Sequence, residues 1–302
     1  MTPALTPALR RTGFLLALGG AIAFSAKAIL AKLLYRHGVD AVIVVGLRML
    51  FAAPFFAWMV WRGSRGRAPL TRAQWGRVAV LGFAGYYLAS MLDFLGLQYI
   101  SASLERLVLY VYPTLVLLIA AARGARRLQG RQWAAMGLSY AGVLVAFGAE
   151  AQAGLAASPG HLALGTALVV GSALAYAVYL VLSGETVAEV GSLRLTGLAS
   201  GVACVLCIGQ WLLLRPVWST PLPAPVWGLS LLNATLCTAL PMWMTMRAIE
   251  LVGPGATAQV GMVGPLATVG LGIVLLGEPF TATLAAGTVL VLAGIAWLAR
   301  LR

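Results

Sequence analysis

Ten apolar runs follow one another along the chain, separated by short polar gaps, at about 13–35, 41–61, 78–99, 105–122, 133–149, 162–183, 194–214, 226–247, 254–276 and 282–299. A helix crossing the bilayer core needs about 20 largely apolar residues. Each run is close to that length, and no gap is long enough to hold a soluble domain. The pattern predicts an all-α membrane protein of ten transmembrane helices, with residues 1–302 forming a single membrane domain.

The runs repeat. Shifting the chain by 152 residues pairs Gly13 with Gly165, Gly19 with Gly171, Pro113 with Pro265 and Gly142 with Gly294, with no gap opened. One offset that holds from end to end points to a duplication, with repeats over 1–149 and 150–302. Each half carries five spans. An odd number forces the second half to insert upside down, giving two inverted five-helix repeats. Such repeats place a binding site near the midplane between the halves and supply alternating access.

Composition agrees. Hydrophobic residues make up 61% of the chain and charged ones 10%, against about 25% in a soluble domain. The net charge of +13 rests on Arg residues in the gaps, not on a basic stripe with interleaved aromatics, so nucleic acid is not an expected partner. With the N-terminus inside, inner segments hold 15 Arg and outer loops only Arg36 and Arg215. That bias places both termini in the cytoplasm. The opening "RRTGFLLALGG" then reads as a retained first helix, not a cleaved signal. Cys204, Cys207 and Cys237 lie in apolar runs without a second Cys/His pair, so neither a metal nor a cofactor is expected. His37 and His161 fall in outer loops and neither lysine follows a phosphate-binding glycine loop, which argues against an enzyme or an ATP-driven pump.

The chemistry sits in charges and phenols inside spans. Tyr86, Ser90 and Asp93 fall on one face of the third span. Arg106, Tyr110 and Pro113 do the same in the fourth. An antiparallel hairpin predicts an Asp93–Arg106 pair, with Glu105 as the competing partner nearer the outer surface. Under the repeat shift Lys27 matches Tyr179 and Tyr110 matches Met262, so Lys27, Tyr110, Tyr179 and Met262, with Gln259 one turn earlier, are cavity-lining candidates. Lys27 would meet a substrate carboxylate or serve as a structural partner; Arg48 is expected to anchor helices through a pair, with a functional role as the alternative. Lys32 lies nearer the outer end and can snorkel. Most tryptophans, Trp211 and Trp218 among them, fall near span ends as an interfacial belt. Trp243 is the exception, by default a packing residue and alternatively an aromatic wall. The deep tyrosines need partners or water, with Tyr140 the most plainly structural. Glu105 and Arg106 form a candidate gate, and Pro113 and Pro265 are hinge positions. Small residues such as Gly19, Gly142, Gly264 and Gly294 would let helices pack closely.

Three stretches carry a family resemblance: "GLRMLFAAPFF", "LGLQYISASLERLVLYVYPTLVLL" and the final "GPGATAQVGMVGPLATVGLGIVLLGEPFTATLAAGTVLVLAGIAW". Together they resemble the EamA-type drug/metabolite transporter superfamily across essentially the whole chain. The first repeat reads "AARGARRLQG" where the second reads "LLGEPFTATL", so Arg126 stands opposite Glu278, which reads as a helix-start carboxylate before Pro279. The resemblance implies a secondary transporter in a bacterial-type cytoplasmic membrane. It would export small metabolites, with amino acids, aromatic ones in particular, the leading expectation. Its partners would be a small-molecule substrate and the lipid bilayer; the oligomeric state stays open, and a monomer is compatible with the pattern. A proton-coupled exporter of cationic drugs or amines using Asp93, and an intramembrane enzyme, are the rival expectations.

Overall fold

The computed structural model describes residues 7–124, 128–154, 157–215 and 222–301. Among them are ten helices long and apolar enough to cross a membrane: Leu9–Tyr35, Ala41–Ser64, Arg72–Leu97, Ala102–Ala122, Gly130–Ala153, Pro159–Gly184, Ser192–Leu214, Ala224–Gly253, Gln259–Leu276 and Ala282–Arg300. Polar caps set several starts. Asp40 accepts from the Ile43 amide at 3.0 Å, Thr71 from Gln74 at 3.2 Å, and Thr281 from Leu284 at 3.1 Å. Each satisfies an amide that the first helical turn leaves without an internal partner.

One boundary differs from expectation. The eighth span, expected to end near 247, continues to Gly253, whose φ of +84° bends the backbone inside the helix Leu240–Gly261. Glycine adopts that left-handed angle without the Cβ clash other residues meet. Charge did not stop the helix at Arg247, because that side chain is exposed and paired with Glu250 at 2.6 Å.

The two halves pack against each other as inverted equivalents. The second span pairs with the seventh and the fifth with the tenth, while the first meets the eighth and the third meets the sixth. Exchanging the repeats maps each of the first two pairs onto itself and swaps the last two. Backbone irregularities obey the same relation. The π-helical segment Gly82–Leu88 in the third span has its counterpart at Thr235–Ala239 in the eighth. The fourth span breaks at Tyr110–Val111 and the ninth at Met262–Val263, 152 residues further on. There the bonds tighten to three-residue spacing, Val111 to Val108 at 3.2 Å and Val263 to Val260 at 3.1 Å. Pro113 and Pro265 follow in the first turns of the helices Tyr112–Ala122 and Gly264–Leu271. A proline there lacks only an amide that would go unused, yet forbids an unbroken helix through the preceding turn.

Close packing depends on a few glycines. A Cβ on Gly142 would lie 2.6 Å from the Val291 amide nitrogen and 2.7 Å from the Gly287 carbonyl, so the fifth and tenth helices touch backbone to backbone. Gly46 receives Trp211 in the same way, where a Cβ would stand 2.6 Å from the Trp211 Cβ. Trp211 is therefore a core residue between the second and seventh spans, at 3% exposure, and not a member of the interfacial belt. Sequence position placed it near a span end, but the gap left by Gly46 draws the indole inward. Trp58, Trp61, Trp75, Trp133, Trp227 and Trp297 are exposed. Trp218 and Arg126 lie outside the described residues.

Replacing Gly142 with leucine forces the fifth and tenth helices apart. The expected cost is about 1–3 kcal/mol, read as a lowered melting temperature of the purified protein in detergent, while the exposed Leu144→Ala leaves melting nearly unchanged.

Candidate functional site

Five ionisable side chains are buried in the first half: Lys27, Arg48, Asp93, Glu105 and Arg106, each at 6% exposure or less. Their order in space differs from the sequence expectation. Asp93 Oδ2 accepts from the Lys27 ammonium at 2.5 Å, and Glu105 Oε1 lies 3.9 Å from the same nitrogen. Arg106 does not pair with Asp93. Its Nε donates to the Thr268 hydroxyl at 3.0 Å and its Nη2 to the Phe24 carbonyl at 3.2 Å. Level position in a hairpin was the basis for the Asp93–Arg106 expectation. It ignored the first span, which packs against both the third and the fourth and brings a shorter, more compact cation to the carboxylate. Glu105, expected near the outer surface, is fully buried beside Asp93 and Lys27.

Arg48 also departs from expectation. No carboxylate lies within 4 Å among the described residues; Nη2 donates to the Ser90 hydroxyl at 3.2 Å, and the guanidinium sits 4.9 Å from the Phe94 ring centroid. Its Nε has no partner. Phe94 receives Lys27 as well, at 5.3 Å. One aromatic ring thus faces two cations, which its negative π-face favours electrostatically. The stripe Tyr86, Ser90, Asp93 fans out to three different elements: Tyr179 of the sixth span, Arg48 of the second and Lys27 of the first.

Beside the charges runs a chain of phenols. Tyr110 meets Tyr112 with ring centroids 6.4 Å apart, Tyr112 meets Tyr176 at 5.2 Å, Tyr176 stacks on Tyr179 at 5.8 Å, and Tyr179 meets Tyr86 at 5.2 Å. The hydroxyls of Tyr86 and Tyr179 are 3.2 Å apart. The chain starts one turn after Arg106, whose carbonyl accepts the Tyr110 amide. Tyr110 also links the two helix breaks. Its hydroxyl donates to the Gly261 carbonyl at 2.7 Å, the group four residues before Pro265 that proline leaves without its helical donor. Tyr140 bonds Thr114 at 2.9 Å.

Of the other candidates, Met262 packs in the same core cluster as Tyr110. Gln259 is exposed, and Trp243 continues the exposed stripe Leu236, Leu240 on the bundle surface. Neither joins the charged centre. Lys27 and Tyr179, equivalent by the repeat, are held by different partners.

Sequence reasoning missed the clasp at the start of the fourth span. Glu278 accepts from the Ala102 amide at 2.7 Å, the Ser103 amide at 3.2 Å and the Ser103 hydroxyl at 2.5 Å. Glu150 accepts from the Ser101 amide at 2.6 Å and from its hydroxyl. Glu278 is thus a helix-start carboxylate of the fourth helix, not of its own: the tenth begins at Ala282 under the Thr281 cap. No local spacing signals a bond that spans 176 residues. At this end of the bundle a cavity of about 360 Å³ opens, lined by Lys32, Tyr35, Gln98, Ser101 and Glu278 among others. Lys32 has no ion pair within 4 Å among the described residues, and five residues separate it from Lys27 on the same helix.

Inverted five-helix halves around buried charges define the class: a secondary-transporter fold. A family model described as EamA-like transporter family matches residues 11–148 and again 163–300, so the chain belongs to that family. It is 28% identical over 274 residues to the "Uncharacterized transporter YcbK" of Bacillus subtilis (strain 168), covering 88% of this chain and 86% of that one. A solved crystal structure matches 97% of this chain and 98% of its own with a TM-score of 0.64 at 20% identity, a likeness of fold alone.

Lys27→Met leaves the buried Asp93 without the cation that faces it. The expected destabilisation is about 3–5 kcal/mol, and Lys27→Met combined with Asp93→Leu recovers most of it. Thermal unfolding of the two variants and the wild type in one detergent reads the cycle.

Proposed function

We propose that this EamA-family transporter exports amino acids, aromatic ones foremost, from the cytoplasm by alternating access. The observation that carries the reading is the contact between a centre of both charge signs and a chain of tyrosines. An aromatic amino acid is a zwitterion with a ring. Arg48, with an unpartnered Nε, offers a donor to its carboxylate. Once the bundle opens, Asp93 and Glu105 offer acceptors to its ammonium. The tyrosine faces offer offset or edge-on contacts to its ring, each worth about 0.5–1.5 kcal/mol.

The inverted exchange of helix pairs supports alternating access, because rocking one half against the other opens one end while closing the opposite one. The cavity beside Lys32 lies at one end of the bundle, and the tyrosine chain runs from mid-span toward the other. The Arg-rich gaps support an N-in, C-in orientation in a cytoplasmic membrane. Three carboxylate oxygens of Asp93 and Glu105 have no donor, which supports the second reading, a proton-coupled exporter of cationic drugs or amines.

Counterflow in proteoliposomes with a panel of amino acids, amines and sugars separates these readings. Exchange of phenylalanine or tyrosine is expected; exchange of amines alone favours the second reading, and no exchange of any amino acid overturns the first. Arg48→Met is expected to lower apparent amino-acid affinity about tenfold or more, equivalent to about 1.4 kcal/mol, with little effect on a transported amine. A fluorescent protein fused to the C-terminus is expected to fluoresce from the cytoplasm, and an alkaline phosphatase fusion at the same point to be inactive.

A further inference from the structure

We infer that Asp93 and Glu105 hold one proton between them, making the pair a proton-binding site inside the charged centre. Both carboxyls are buried, Glu105 completely, and both stand against one ammonium, Asp93 Oδ2 at 2.5 Å and Glu105 Oε1 at 3.9 Å from Lys27 Nζ. Asp93 Oδ1 and both Glu105 oxygens have no donor. Buried acceptors without donors are rare because each one forfeits the hydrogen bond it made with water. Three on two adjacent carboxyls need a single explanation.

The burial narrows it. Each of these oxygens exposes less than 1 Å² to a water-sized sphere. No water, and no ammonium of comparable size, can touch them in this conformation. A proton needs no such room. Placed on one carboxyl, it turns an acceptor into a donor to the other and satisfies the facing oxygens in one step. It also removes the repulsion of two like charges held close in a medium of low polarity.

The surrounding groups offer charge without supplying that hydrogen. From the first span Lys27 is committed to Asp93 Oδ2 and stands 3.9 Å from Glu105, beyond bonding range. Lys32 lies further along that span, and the Tyr35 hydroxyl donates to the Phe94 carbonyl at 2.7 Å. From the second span Arg48 turns to Ser90. Arg106, beside Glu105 in the fourth, directs Nε and Nη2 to Thr268 of the ninth and to Phe24. Cys237 of the eighth is a buried thiol. With the proton bound, three cations face one carboxylate, which favours entry of an anionic group. Without it, the second carboxylate seeks a donor that only an opened bundle admits. Proton release is thereby tied to opening.

Infrared spectroscopy of the full chain in liposomes tests the site without any substrate, so its outcome is independent of the amino-acid reading. At neutral pH the wild type is expected to show the carbonyl stretch of a buried, protonated carboxylic acid, shifting in D₂O. Loss of that band in Glu105→Gln or in Asp93→Asn supports the pair as its source. A wild type lacking the band, or a band that survives in both variants, overturns the proposal; the wild-type spectrum decides even where a variant fails to fold.

Discussion

A cation in the middle of a lipid-embedded bundle has to find a carboxyl group, and here Lys27 finds two. The ammonium at 2.5 Å from Asp93 and 3.9 Å from Glu105 holds the first, third and fourth spans around one point. Burying three such ionisable groups is tolerable only because they are buried together. The rest of the centre is arranged around that commitment. Arg106, denied Asp93, reaches across to the ninth span, and Arg48 settles for a hydroxyl and an aromatic face. The first half therefore grips the second through polar contacts, Arg106 to Thr268 and Ser25 to the Gly264 carbonyl at 2.9 Å, as well as through apolar packing.

Scaffold and chemistry follow different rules in this chain. Helix pairs, the π segments of the third and eighth spans and the proline breaks obey the inverted repeat. The buried charges do not: five belong to the first half, and only Glu150, at the repeat boundary, joins them among the described residues. Duplication supplied two equal frames, each bending at the same places. Only one frame was fitted with ions, and the other answers with hydroxyls and carbonyls. Tyr110 marks the seam, since a phenol from one break satisfies the backbone of the other.

The scaffold was legible because its causes are periodic or local. Span lengths, the 152-residue offset and the prolines can each be read along a line. Even so, the eighth span overran its expected end, because an exposed Arg247 costs a helix little. The charged residues were legible as a set, for intramembrane charge is rare. Their pairing was not. A hairpin fixes only neighbours in sequence, whereas Lys27 and Asp93 are 66 residues apart and meet through bundle packing. Trp211 shows the same limit: position near a span end suggested an interface, and the space opposite Gly46 decided otherwise. Trp243 and Gln259 failed as lining residues because helical phase, set by tertiary contacts, turns them outward.

The bonds from Glu278 to the fourth helix go mostly to main-chain amides, those of Ala102 and Ser103. Main-chain amides are the same whichever side chains accompany them. The donating end of this clasp is therefore insensitive to its own amino-acid identity, apart from the Ser103 hydroxyl, the small size its burial demands and the ban on proline. Most of its chemical information resides at the accepting end, 176 residues away. Substitutions at 102 and 103 that fit the buried space keep both amide bonds, while a single change at 278 removes every bond of this clasp to the helix that carries Glu105, Arg106 and Tyr110.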